Sequence, residues 1–225
     1  MKESRTRLRG HMAPPAPAGT RLAQLARTAS RPPEPQAPVQ EVCDLCSAPV
    51  PPEHRHLVDL HSRQMMCACR ACKILFDRKE AGEGHYRLIP ERRELLEGFV
   101  LADEQWAALQ IPVDMAFFFH NTNTGRVMAF YPGPMGPTES LLELSTWDEL
   151  VAANPVLAEL EPDVEALLVN RARGAREHYL VGVDECYALG GLIRTSWKGL
   201  SGGDEVWQEI DGFFDRLARR AEEAR

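Results

Sequence analysis

Five of the six cysteines fall within thirty residues, as Cys43-Asp44-Leu45-Cys46 and Cys67-Ala68-Cys69-Arg70-Ala71-Cys72. They supply two CxxC pairs separated by residues 47 to 68. Two such pairs at this spacing are the usual source of four thiolates for one tetrahedral ion. A CxxC turn can bring two sulfurs to one ion while nearby backbone N–H groups point at them. The expected ligands are Cys43, Cys46, Cys69 and Cys72. Zinc is the default metal for four soft sulfurs, and iron in a rubredoxin-like site is the alternative. Rubredoxin-like turns place Gly after the second Cys, whereas Ser47 and Lys73 stand there in this chain. Two disulfides would also suit the spacing. No secretion signal is apparent, however, and thiols stay reduced in the cytosol.

Cys67 is a fifth sulfur. On a strand it would face the same side as Cys69, and it is expected to be a small buried apolar residue beside the site. The sharper alternative is a spare thiol that exchanges onto the metal or oxidises. Arg70 and Lys73 flank the second pair and could offset the charge of four thiolates on a divalent ion. His54, His56 and His61 lie between the pairs. Each could replace a cysteine as ligand, but histidines in a polar hairpin are more commonly solvated.

Other residues carry weaker chemistry. Cys186 could serve as a nucleophile with His120 or His178 as base, but a cysteine on an apolar helix face is usually core. Ser201-Gly202-Gly203-Asp204 precedes a helix and could cradle an anion; the charges of Asp204 and Glu205 favour a capping loop instead. Asp114 has no carboxylate partner in the pattern. Arg194, Trp197 and Lys198 form a small basic-aromatic group that reads as the edge of a helix. There is no phosphate loop, dinucleotide fingerprint, nucleophile elbow or HExxH. An enzyme is therefore not the favoured reading.

These groups must be positioned by a chain of 225 residues, 44% hydrophobic, with a net charge of −7 and a pI near 5.6. The acidity argues against broad nucleic-acid binding. No stretch approaches the ~18 apolar residues of a membrane span, and no apolar leader segment is present; a cytoplasmic protein is expected. Residues 1–40 read as a disordered, basic, Pro-rich tail. Seven basic residues against two acidic give it +5, leaving −12 on the remainder. Met12 is an alternative start that would remove Arg5, Arg7 and Arg9.

Residues 41–90 read as the metal module. A strand over His56–Leu60 returns as Gln64–Cys67, and Lys73-Ile74-Leu75-Phe76 is expected to supply its apolar contact. Ala81–Gly84 is a turn, and His85–Pro90 an edge strand. Residues 91–225 read as an α+β domain. Helices are expected over Glu91–Leu96 and Ala102–Leu109. Strands are expected over Val113–His120, Arg126–Tyr131, Glu139–Leu144, Val164–Asn170 and His178–Val183. Thr146, Asp184 and Asp204 are expected caps for three further helices, and Asn154-Pro155 opens another. Val206, Ile210, Phe213, Phe214, Leu217 and Ala221 mark a C-terminal amphipathic helix. The fold class is α+β: a small zinc-ribbon-like hairpin, then a mainly antiparallel sheet with flanking helices.

Several motifs resemble an uncharacterised bacterial family often encoded beside the large and small subunits of a nickel–iron hydrogenase. They include the two cysteine motifs, His54-Arg55-His56-Leu57, Gly84-His85-Tyr86-Arg87, Asn154-Pro155-Val156-Leu157, the run Glu161–Asn170 and the run Gly191–Gly203. The likeness covers roughly residues 41 to 218. It implies a protein partner, a hydrogenase or one of its maturation factors, and a non-catalytic role in assembling, stabilising or wiring that enzyme. A zinc-binding adaptor is the first expectation, and a rubredoxin-like iron carrier the alternative.

Overall fold

A computed structural model describes residues 40–77, 84–140, 144–199 and 202–223. All but the last residue of the expected tail over residues 1–40, most of the Ala81–Gly84 turn, part of the Glu139–Leu144 strand and Ser201 lie outside the described residues. Residues 40–225 form one compact unit.

Two antiparallel sheets carry the fold. The smaller contains β1 (Arg55–Asp59), β2 (Met65–Ala68) and β3 (Tyr86–Leu88) in the order β2-β1-β3. A short helix, α1 (Arg70–Leu75), follows β2. The larger sheet contains β4 (Arg93–Leu95), β5 (Met115–Asn121), β6 (Arg126–Tyr131), β7 (Thr138–Ser140), β8 (Glu165–Asn170) and β9 (Glu177–Gly182). Its order is β4-β9-β8-β5-β6-β7. Among the described residues, four more helices are α2 (Asp103–Ala108), α3 (Leu144–Ala153), α4 (Val183–Ser196) and α5 (Gly203–Glu223), with a 3-10 turn over Pro155–Glu159.

The large sheet is buried on both faces, which explains the unbroken apolar run at Met115–Phe119. Successive side chains on a strand alternate in direction. Met115, Phe117, Phe119, Ala166, Leu168, Tyr179 and Val181 therefore join one core, under α4 and α5. Ala116, Phe118, Leu167, Val169 and Leu180 join the other, beneath Trp147 and Leu150 of α3 and Leu157. On α5 the stripe Val206, Ile210, Phe213, Phe214, Leu217 and Ala221 is buried as its period requires. Val58 and Ile89, from the small-sheet region, sit in the first of these cores.

Some elements depart from the sequence pattern. The expected helix over Glu91–Leu96 is absent; Arg93–Leu95 within it forms strand β4. Leu95 packs on one core and Leu96 on the other, a two-residue alternation only an extended chain provides. The open edge of β9 accepts it, with Arg93 opposite Val181 and Leu95 opposite Tyr179. The expected caps at Thr146, Asp184 and Asp204 each lie inside their helices, which begin at Leu144, Val183 and Gly203. Ile74 and Leu75 are 69% and 68% exposed, so they do not supply the module's apolar contact. Phe76 meets the edge of Tyr86, with ring centroids 5.6 Å apart.

Candidate metal centre

The first knuckle is a tight turn. Cys43 N donates to Ala48 O (2.8 Å) and Ser47 N to Cys43 O (2.7 Å). Closing it holds Ser47 at φ 59°, the left-handed region that glycine occupies most readily, at a cost of roughly 1 kcal/mol for serine. The second knuckle is built differently. Cys69 caps α1, and its Sγ accepts a hydrogen bond from Cys72 N at 3.5 Å. Asp44 fastens the first knuckle to β2: its N donates to Cys67 O (3.0 Å), and its Oδ2 accepts from Cys67 N (2.6 Å).

These two turns bring Cys43, Cys46, Cys69 and Cys72 together. All four sulfurs lie within 4.8 Å of one another. Cys46 Sγ and Cys69 Sγ are 3.7 Å apart. Metal–sulfur bonds of about 2.3 Å at tetrahedral angles separate sulfurs by about 3.8 Å, whereas a disulfide needs about 2.05 Å. All six cysteines are free thiols. The cluster can hold a metal ion. Its apolar support is small: Cys43, Val50 and Cys72 are buried together, with Leu45 and Cys69 against them. Val50 and Leu45 supply what the sequence pattern had assigned to Ile74 and Leu75; a lone valine among prolines gives no periodic signal.

Electrostatics separates the four thiols. Burial pushes the Cys43 thiol up, but hydrogen bonds with the backbone of Cys69, Leu45 and Cys46 outweigh it and bring it down to about 6. Burial and the neighbouring sulfurs push Cys72 up to about 12. Cys69 is lowered, chiefly by the Cys72 N–H. Packed thiols cannot all ionise without a cation. One divalent ion would replace these protons and remove the repulsion.

Cys67 is only half-buried, not a buried apolar residue, and its backbone is tied to the first knuckle through Asp44. Cys69 leaves the strand to cap α1, so the two-residue alternation breaks there. Cys67 instead groups with His54 and His56. His61 is exposed in the β1–β2 turn, its N donating to Asp59 Oδ1 (2.8 Å). Arg70 and Lys73 sit on α1 and, with His54, His56, Cys69 and Asp184, line a cleft of about 1100 Å³.

The remaining candidates are dispersed. Cys186 lies on the buried face of α4, and burial drives its thiol far up. His120 and His178 lie in strand phase with Phe118 and Leu180, on the opposite face of the sheet, so no Cys–His pair forms. His178 stacks on Phe99 at 4.6 Å. Gly202 is closely packed: a Cβ there would stand 2.8 Å from Val206 and 3.2 Å from Trp197. Asp114 is exposed and uses its carbonyl to accept Arg171 N (2.7 Å). Lys198 pairs with Glu205, and Trp197 packs on the core.

Fold and site together define an α+β protein with a four-thiol cluster able to hold a metal ion. The family model of a family of unknown function, DUF5947, matches residues 42–221, and the chain belongs to that family. No curated protein and no solved structure matches it. No helix among the described residues is long and apolar enough to cross a membrane.

Proposed function

We propose that Cys43, Cys46, Cys69 and Cys72 bind one zinc ion, and that residues 41–90 act as a metal-stabilised docking head on the α+β portion. The observation that carries this is the 3.7 Å separation of Cys46 and Cys69 sulfurs within a cluster of four. Zinc supplies no redox chemistry here; it supplies cohesion. The knuckles bury too little apolar surface to hold themselves, and structural zinc contributes on the order of 10 kcal/mol to such folds. Val42, just before the first knuckle, and Ile74 and Leu75, just after the second, are exposed. Exposed large apolar side chains on a rigid head suit a protein partner.

The partner class follows from the sequence likeness: a nickel–iron hydrogenase or one of its maturation factors, with this protein as a non-catalytic cytoplasmic adaptor. The test is metal analysis of the full chain purified natively, with identification of co-purifying proteins. One colourless zinc bound at the four cysteines, lost in Cys72→Ser, and recovery of hydrogenase subunits are expected. A red, redox-active iron protein would replace the adaptor with an electron carrier. Absence of stoichiometric metal at these cysteines would end both.

A further inference from the structure

Strands β1 and β2 pair with His56 directly opposite Cys67. Opposed residues of an antiparallel pair project from the same face. His54 lies two residues before His56, and the two rings are 4.7 Å apart. One ligand atom from each of His54, His56 and Cys67 lies within 4.8 Å of the other two.

Both imidazoles are oriented alike. His54 Nδ1 lies 2.9 Å from the carbonyl of Pro51, and His56 Nδ1 lies 2.9 Å from Asp184 Oδ2. A carbonyl and a carboxylate can only accept, so each Nδ1 carries the proton. The lone pair each neutral ring has left is on Nε2. The His54 side chain is 5% exposed, and its Nε2 is buried with no hydrogen-bond partner. A buried polar atom without a partner needs an explanation, and an unseen ion is one. An imidazole fixed through Nδ1 to a carbonyl or carboxylate is the usual outer support of a metal-ligating histidine.

We propose that His54, His56 and Cys67 form a second metal site, for a borderline-soft divalent cation of the zinc class. Two imidazoles and a thiolate favour that class over magnesium or calcium, which require oxygen ligands. The site is distinct from the four-thiol cluster and does not depend on it for its donors. Three protein ligands leave a fourth position free, the arrangement of zinc sites that exchange a ligand. His54 and His56 both line the cleft. Asp184, held by Glu185 N at 3.0 Å, acts as a positioning residue for His56.

The test is zinc stoichiometry of the full chain by native mass spectrometry, with cadmium-113 NMR of the cadmium-loaded protein. Wild type is expected to hold two ions and show two resonances. The double variant His54→Ala/His56→Ala should keep one ion and lose the resonance of the less sulfur-rich site. Asp184→Asn should weaken one ion by about 10-fold or more while leaving the other unchanged. Two ions retained in the double variant, or a wild type holding one ion that the double variant keeps, overturns the second site, as does Asp184→Asn with both affinities intact. A single ion lost in the double variant but kept in Cys46→Ser upholds this site and overturns the four-thiol reading instead.

Discussion

Arg63 Nη1 lies 2.6 Å from Oδ1 of Asp163, whose side chain is 0% exposed. Arg63 stands in the β1–β2 turn, and Asp163 just before β8. Thr122 donates to the same carboxylate from its N (3.1 Å) and its Oγ1 (2.7 Å). The guanidinium also lies 5.4 Å over the Phe119 ring. The small sheet is thus tied to the large one by an ion pair to a buried carboxylate as well as by Val58 and Ile89.

Arg63→Ala should cost about 2–3 kcal/mol, because it strands a buried carboxylate on two remaining donors. That is below the ~3–5 kcal/mol of a fully buried pair, since Arg63 is partly solvated. Asp163→Asn should cost less. Asparagine tolerates the φ of 69° at this position and still accepts from Thr122. Urea unfolding of the two variants checks the order; equal losses would contradict it.

Metal affinity of the four-thiol cluster should rise with pH, with a change of slope near pH 6. Above that value Cys43 is already a thiolate, and about three thiols lose protons on binding; below it, four must. Chelator competition between pH 5 and 8 measures the slope. The Cys67→Ser variant confines the reading to this cluster.

His178 should make the fold sensitive to mild acid. Burial, with the Arg171 and Arg176 charges, lowers its pKa to about 4. The unfolded chain takes up the proton near 6.5 and the folded one does not. The stability this supplies is therefore complete above pH 6.5 and is lost progressively between 6.5 and 4. His178→Phe keeps the stacking on Phe99 and removes the titration. Its melting temperature should fall less than that of wild type over this interval.

Gly182→Ala should destabilise by about 2 kcal/mol. An added Cβ would stand 2.6 Å from Asp184 Oδ1 and 2.7 Å from the Pro90 carbonyl. The backbone cannot yield cheaply, so Asp184 must move, and its hold on His56 should loosen. Thermal unfolding checks the first effect. A change in the His56 imidazole resonance on substitution checks the second.

The sequence by itself determined the four-thiol set, because CxxC spacing is a local property that survives any arrangement of the rest. It also determined the α+β class and most strands and helices, since apolar periods of two and 3.6 residues reflect burial on one or two faces. The tertiary structure alone decided β4. A charged segment with helical propensity becomes a strand only because β9 offers an unpaired edge and two cores claim Leu95 and Leu96. It alone decided that Cys186 never meets His120 or His178, since strand phase puts them on opposite faces of one sheet. The grouping of Cys67 with His54 and His56 was likewise invisible in the chain. Strand register sets those three side chains on one face, and register is a relation between segments that no single segment records.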